Sequence, residues 1–166
     1  MITSLGVTSP GSGDYYGLRH YIEGSNTAYL AWATVDAKTV TLSFWVRSSI
    51  TGTYAVSIKN NSASRCFTST YTITNANSWE QKTITIAGDT SGTWATDDIE
   101  FWFDLGSGTN ANGATGTWNT SLVTRTTGST TWVGTNGATF YLTGVQLEAN
   151  TQATPFEQRP TSTELA

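Results

Sequence analysis

From Asp14 onward, apolar residues recur at every second position, which is the period of a strand with one buried face. Asp14–Glu23 sets Leu18, His20 and Ile22 on one side and Arg19, Tyr21 and Glu23 on the other; Ala28–Trp32 reads as a second short extended piece. The clearest strand is Thr39–Arg47, where Val40, Leu42, Phe44 and Val46 alternate with Thr41, Ser43, Trp45 and Arg47. Thr53–Lys59 follows with Tyr54, Val56 and Ile58 inward, and the Ser49–Gly52 turn between the two predicts a hairpin. Further strands are predicted over Arg65–Thr74, over Trp79–Ala87 with Ile84 and Ile86 inward, and over Asp98–Leu105. In the last of these Ile99, Phe101, Phe103 and Leu105 point inward and Glu100, Trp102 and Asp104 outward. Gly106–Gly116 reads as a loop too polar to pack, and Trp118–Thr131 as at most one edge strand. Ala138–Glu148 is a strong final strand, with a bulge expected at Gly144 where the inward set changes parity.

About eight short strands with no amphipathic helix predict an all-β domain. Two antiparallel sheets packed face to face, a β-sandwich of jelly-roll type, bury such faces together. Residues 1–14 read as a flexible arm, 15–148 as the sandwich and 149–166 as an extended tail.

Composition narrows the function. Charged residues are 12% of the 166, aromatic residues another 12%, and there are 33 Thr and 17 Ser. The net charge is −4, and eight Lys and Arg are scattered singly, so no basic stripe is available to neutralise nucleic-acid phosphates. No run approaches the roughly 20 apolar residues of a membrane span. The first residues lack the basic and apolar regions of a secretory signal. One cysteine, Cys66, excludes an internal disulfide and a cysteine-cluster zinc site; it reads as a small core or edge residue.

Catalytic constellations are not legible. The single histidine, His20, shares its parity with Leu18 and Ile22 and reads as a core or interface imidazole. Glu100 and Asp104 share a strand face roughly 13 Å apart at strand rise, too far for either glycosidase geometry. Asp97-Asp98 could contribute oxygen ligands to calcium or be solvated loop carboxylates. What remains is the outward set: Trp45 and Arg47 on one strand, Glu100, Trp102 and Asp104 on another. A ring stacks on the C–H face of a sugar while charged groups bond its hydroxyls. The competing explanation, which has the larger share, is burial of these rings by the N-terminal strand, the tail or a second subunit. Trp94, Trp118 and Trp132, on loops or edges, are open to either role.

The final strand and tail run Thr139-Phe140-Tyr141-Leu142-Thr143-Gly144-Val145-Gln146-Leu147-Glu148, then Ala153-Thr154-Pro155-Phe156-Glu157-Gln158-Arg159-Pro160 and Glu164-Leu165-Ala166. With Tyr21-Ile22-Glu23-Gly24, Val40-Thr41-Leu42-Ser43-Phe44-Trp45-Val46 and Ser78-Trp79-Glu80-Gln81-Lys82, this resembles tail-fibre and other virion proteins of tailed phages and prophages. The resemblance covers roughly residues 15 to 166. It implies a β-sandwich like carbohydrate-binding modules, mounted on a virion appendage that touches the host surface, as one domain of a longer fibre. Modules of similar build often hold a structural calcium through an Asp near the final strand; Leu142-Thr143-Gly144 stands there instead, which leaves calcium open and assigns no metal ligand.

The expectation is therefore a non-catalytic appendage domain, located on the virion, that needs no cofactor. It would bind bacterial cell-surface glycan through Trp45, Arg47, Glu100, Trp102 and Asp104, with copies of itself as further partners, a trimer among the options. The alternatives are a purely structural module (spacer, oligomerisation or capsid decoration) and a polysaccharide depolymerase.

Overall fold

The computed structural model describes residues 1–60, 65–94 and 98–157. The strands are β1 (Ile2–Thr3), β2 (Gly17–Ile22), β3 (Val40–Ser48), β4 (Gly52–Asn60), β5 (Cys66–Ile73), β6 (Glu80–Ile86), β7 (Ile99–Asp104), β8 (Trp118–Asn119) and β9 (Thr139–Glu148). They form two antiparallel sheets, one ordered β1-β9-β3-β6 and the other β2-β7-β4-β5-β8. The sandwich expected from the alternation is present. Its core is the set of inward positions: Val40, Leu42, Phe44 and Val46 from one sheet meet Tyr54, Val56, Ile58, Ile99, Phe101 and Phe103 from the other, all buried. Phe44 lies edge-on to both Tyr71 and Phe103 at 5.1 Å, a favoured aromatic geometry.

Consecutive strands mostly change sheets, and here the structure corrects the sequence reading. β3 and β4 do not form a hairpin. The chain crosses from one sheet to the other at residues 49–51, where the Tyr54 hydroxyl donates to the Ile50 carbonyl (2.7 Å) and the Ser49 amide to Thr139 (3.0 Å). A hairpin and a crossing both keep the apolar side on the core, so alternation and turn residues fit either. The observed hairpin is β4–β5, in register from Gly52↔Ile73 to Lys59↔Cys66. Residues 28–32 are not extended either. A single helical turn, α1 (Gly24–Thr27), runs into a 3₁₀ turn at Ala28–Leu30, and Ala31 takes a left-handed φ of 53°. Leu30 and Trp32 are nevertheless buried, as a short apolar run allows in either conformation.

The arm is held down. Ile2 and Thr3 pair with Phe140 and Thr139 of β9, the Ser4 hydroxyl donates to the Val133 carbonyl (2.7 Å), and the Val7 amide reaches the same residue (2.7 Å). The tail folds back over the outer face of the first sheet, where Thr41 Oγ1 donates to the Asn150 carbonyl (2.7 Å) and Thr85 Oγ1 to that of Thr151 (3.3 Å). The bulge lies where parity placed it. Thr143 faces Trp45 and Gln146 faces Ser43, so two residues of β9, Gly144 (φ +56°) and Val145, oppose Phe44 alone.

One end of the sandwich is closed by three indoles, Trp32, Trp94 and Trp118, mutually edge-on at 4.7–5.5 Å. Beside them Asp89, only 1% exposed, takes a two-pronged ion pair from Arg65 (2.7 and 2.6 Å) and a hydrogen bond from Trp94 Nε1 (3.0 Å). Trp94 and Trp132 are thus buried packing residues. No helix among the described residues is long and apolar enough to cross a membrane.

Candidate functional site

The five expected ligand residues divide between opposite outer faces. Trp45 and Arg47 lie in the first sheet, and Glu100, Trp102 and Asp104 in the second. Packed sheets stand about 10 Å apart, so no single sugar ring can touch both groups.

The second group leaves the core parity as expected, but Glu100 and Asp104 are buried and Trp102 is half-buried. The chain around Val123 lies against this face, where the Val123 carbonyl accepts from Ser57 Oγ (2.9 Å), Thr68 Oγ1 (2.6 Å) and Cys66 Sγ (2.9 Å). The loop judged too polar to pack is therefore packed, fastened by hydrogen bonds rather than apolar burial: Ser107 and Ala111 are buried, and the Gly116 amide donates to Thr68 (2.8 Å). Glu100 is 3% exposed and ion-paired to Lys59 at 2.9 Å. Its hydrogen bond to Tyr21 raises the Tyr21 phenol pKa. Asp104 accepts the amides of Gly106 and Ser107, both at 3.1 Å, and burial pushes its pKa up despite them. Trp102 sits on the backbone of Gly17, where an added Cβ would fall 2.6 Å from the indole, and meets Tyr15 edge-on at 6.2 Å. The contacts of all three side chains are thus within the fold. Trp102→Ala is expected to cost about 2 kcal/mol of stability, visible as a lower denaturation midpoint in urea.

The first face is different. Trp45 is 39% exposed and stands opposite Gln81 of β6 and Thr143 of β9. Arg47, two residues on, faces Tyr141, with its guanidinium carbon 5.1 Å from the ring centre. Trp79, 44% exposed, meets Tyr141 at 6.0 Å and 66°. β6 and β9 flank β3 at about 4.8 Å each, so these two rings meet across the strand that holds Arg47. Beyond them, an added Cβ on Gly144 would lie 3.3 Å from Trp45 and 3.8 Å from Phe156, so glycine lets both rings approach the bulge. The result is an aromatic floor of Trp45, Tyr141 and Trp79, with Phe156 at its margin. Neutral hydrogen-bonding side chains, Gln81, Thr83 and Thr143, surround it.

No family model, curated protein or solved structure matches this chain.

Trp79 and Tyr141 were not singled out from the sequence, although the signal was there. Trp79 keeps the outward parity of Gln81 and Thr83, and Tyr141 becomes outward once the bulge resets the count at Gly144. The turn presenting Trp79 is held by Glu80, which accepts from the Thr74 amide (2.9 Å), Thr74 Oγ1 (3.0 Å), the Asn75 amide (2.7 Å) and Lys82 Nζ (2.6 Å). Burial pulls its pKa upward, but the lysine and these donors outweigh that and bring it down to about 2. Because the folded value lies below the unfolded one of about 4.3, this stabilisation is complete above pH 4.3. It is lost as pH falls through about 2. Glu80→Gln is expected to remove most of that acid dependence, checked by thermal unfolding between pH 2 and 5.

The remaining candidates are accounted for by their surroundings. His20 is not a core imidazole. It is exposed, on the wall of an apolar cleft of about 330 Å³ between β2 and β9, with Leu18, Ile22, Leu142, Val145 and Leu147. Cys66 is buried, and burial raises its thiol pKa, which makes it unreactive. Asp98 accepts the Gly24 amide (3.2 Å); Asp97 lies outside the described residues. Among the described residues no group of three or more His, Cys, Asp or Glu is placed to hold a metal ion.

Proposed function

We propose that this is a non-catalytic domain of a phage tail fibre or related virion appendage, which binds bacterial surface carbohydrate on the outer face of its four-stranded sheet. The observation behind the reading is the aromatic floor formed by Trp45 and Tyr141 on paired strands and by Trp79 at the turn into β6, with Trp45 and Trp79 exposed and Tyr141 partly so. Large aromatic rings left in water on a rigid sheet mark an interaction surface. Rings flanked by Gln, Thr and Arg suit a ligand with apolar C–H faces and many hydroxyls. The resemblance of the final strand and tail to virion appendage proteins supplies the setting. Several linked copies would convert modest single-site affinity into stable attachment, with effective concentrations of order mM.

Trp45→Ala is expected to weaken glycan binding roughly 30-fold, about 2 kcal/mol, and to shift the unfolding midpoint little. Calorimetry on glycans selected by array, beside thermal unfolding, checks both. Absence of any glycan binding by the assembled protein would overturn the proposal.

A second reading, a structural module that joins copies of the chain, is favoured by the open side of the sandwich. Among the described residues β2 pairs only with β7, and β1 covers only Thr139 and Phe140 of β9, so within that set two strand edges, with the apolar cleft between them, have no strand partner. Light scattering separates the readings: a monomer that still binds glycan leaves no place for the structural one.

A further inference from the structure

We infer that the glycan is acidic, and that Arg47 takes its negatively charged group; this rests on the glycan-binding reading above. Arg47 lies in the middle of the aromatic floor, and none of the ion pairs among the described residues includes it. On the neighbouring strand β6, the charged side chains Glu80 and Lys82 have the inward parity of Ile84 and Ile86, and they pair with each other at 2.6 Å. Glu148, on the outward parity of β9 after the bulge, faces Thr41. That is six residues along β3 from Arg47, roughly 20 Å at strand rise, and Glu148 is occupied by Thr154. Glu157 follows Phe156 at the margin of the floor, and its amide donates to Gln146 Oε1 at 2.9 Å; no ion pair among the described residues compensates Arg47, in a protein whose net charge is −4.

The guanidinium is also fixed in position. It stacks over Tyr141, and Trp79 meets that ring from the opposite strand. Its Nε is buried without a hydrogen-bond partner. A stacked, planar fork presents paired N–H donors, the geometry that matches a carboxylate in two-point fashion. The rings on either side supply the stacking surface for the sugar bearing that group. A neutral glycan would leave this charge half-desolvated and unanswered, whereas a hexuronate answers both charge and shape.

The test uses the full chain in its native assembly and a panel of bacterial surface polysaccharides and their oligosaccharides. Each uronate-containing member is paired with a copy whose carboxyls have been reduced to primary alcohols. The expected result is binding to uronate-containing members, weakened roughly 10- to 100-fold by carboxyl reduction or by Arg47→Gln. Arg47→Lys should fall between, since it keeps the charge without the fork. Unchanged affinity after carboxyl reduction would overturn the inference and leave the glycan reading standing, and this arm needs no variant to fold. Undiminished acidic-glycan binding by Arg47→Gln would overturn it as well. No binding to any member of the panel would overturn the glycan reading itself.

Discussion

Replacing Asp89 with alanine is expected to cost about 3–5 kcal/mol, the usual consequence of removing one partner of a buried ion pair. Asp89 gathers four donors onto one carboxylate: Arg65 Nε and Nη2, Trp94 Nε1 and the Ser91 amide. Alanine would leave the Arg65 guanidinium, 15% exposed, without its counter-charge and would free the indole N–H of a buried tryptophan. A domain of this size has about 5–15 kcal/mol in total, so the unfolding midpoint should fall by roughly 10 °C or more. Near-UV circular dichroism should report the loss directly, because Trp32, Trp94 and Trp118 contact one another beside the pair. Asp89→Asn, which keeps an acceptor for Trp94, should cost less. A midpoint within 2–3 °C of the parent for Asp89→Ala would show that this end of the sandwich stands without the pair. The charged form is also the stabilising one. Burial raises the Asp89 pKa, but Arg65 and Trp94 more than offset this and hold it below the usual value. The contribution is therefore present above about pH 4 and lost as pH falls through the lowered folded value.

Lys59→Met is expected to be the next most damaging change, at about 2–4 kcal/mol, because Glu100 is almost fully buried and Lys59 is its ion-pair partner at 2.9 Å. The double variant Lys59→Met with Glu100→Gln should recover much of the loss, since it removes the unpaired charge instead of creating one. Urea denaturation of the two single variants and the double gives the coupling energy. The result bears on function too. A strong coupling fixes Glu100 as part of the scaffold, whereas a silent Lys59→Met would return that carboxylate to the list of ligand groups.

Period-two alternation was enough to place the core. Leu42, Phe44, Ile58, Phe101 and Phe103 all point where their parity put them, and the parity change at Gly144 is a bulge. Alternation says which way a side chain points but not which sheet its strand joins. For that reason the β3–β4 connection and the division of Trp45 from Trp102 were not readable. Nor does it reveal burial on an outer face. Glu100, Trp102 and Asp104 point away from the core, yet Glu100 and Asp104 are buried, on a sheet face that also carries a loop held by hydroxyl and thiol donors to Val123, a pattern with no local sequence signature. Asp89 escaped for a related reason: its partner Arg65 is 24 residues away in the chain, and long-range ion pairs leave no periodic trace.

The aromatic floor rides on strands whose opposite sides are the hydrophobic core. Trp45 lies between Phe44 and Val46, both fully buried, and Tyr141 follows the buried Phe140. Trp45 and Tyr141 therefore have their positions set by the core, which on the proposed reading leaves little of their freedom to be frozen on binding. Recognition and folding become coupled quantities. On the proposed glycan-binding reading, a substitution such as Phe44→Leu, which lies on the core side of the sheet, should loosen the floor from behind and shorten the residence time of a bound glycan.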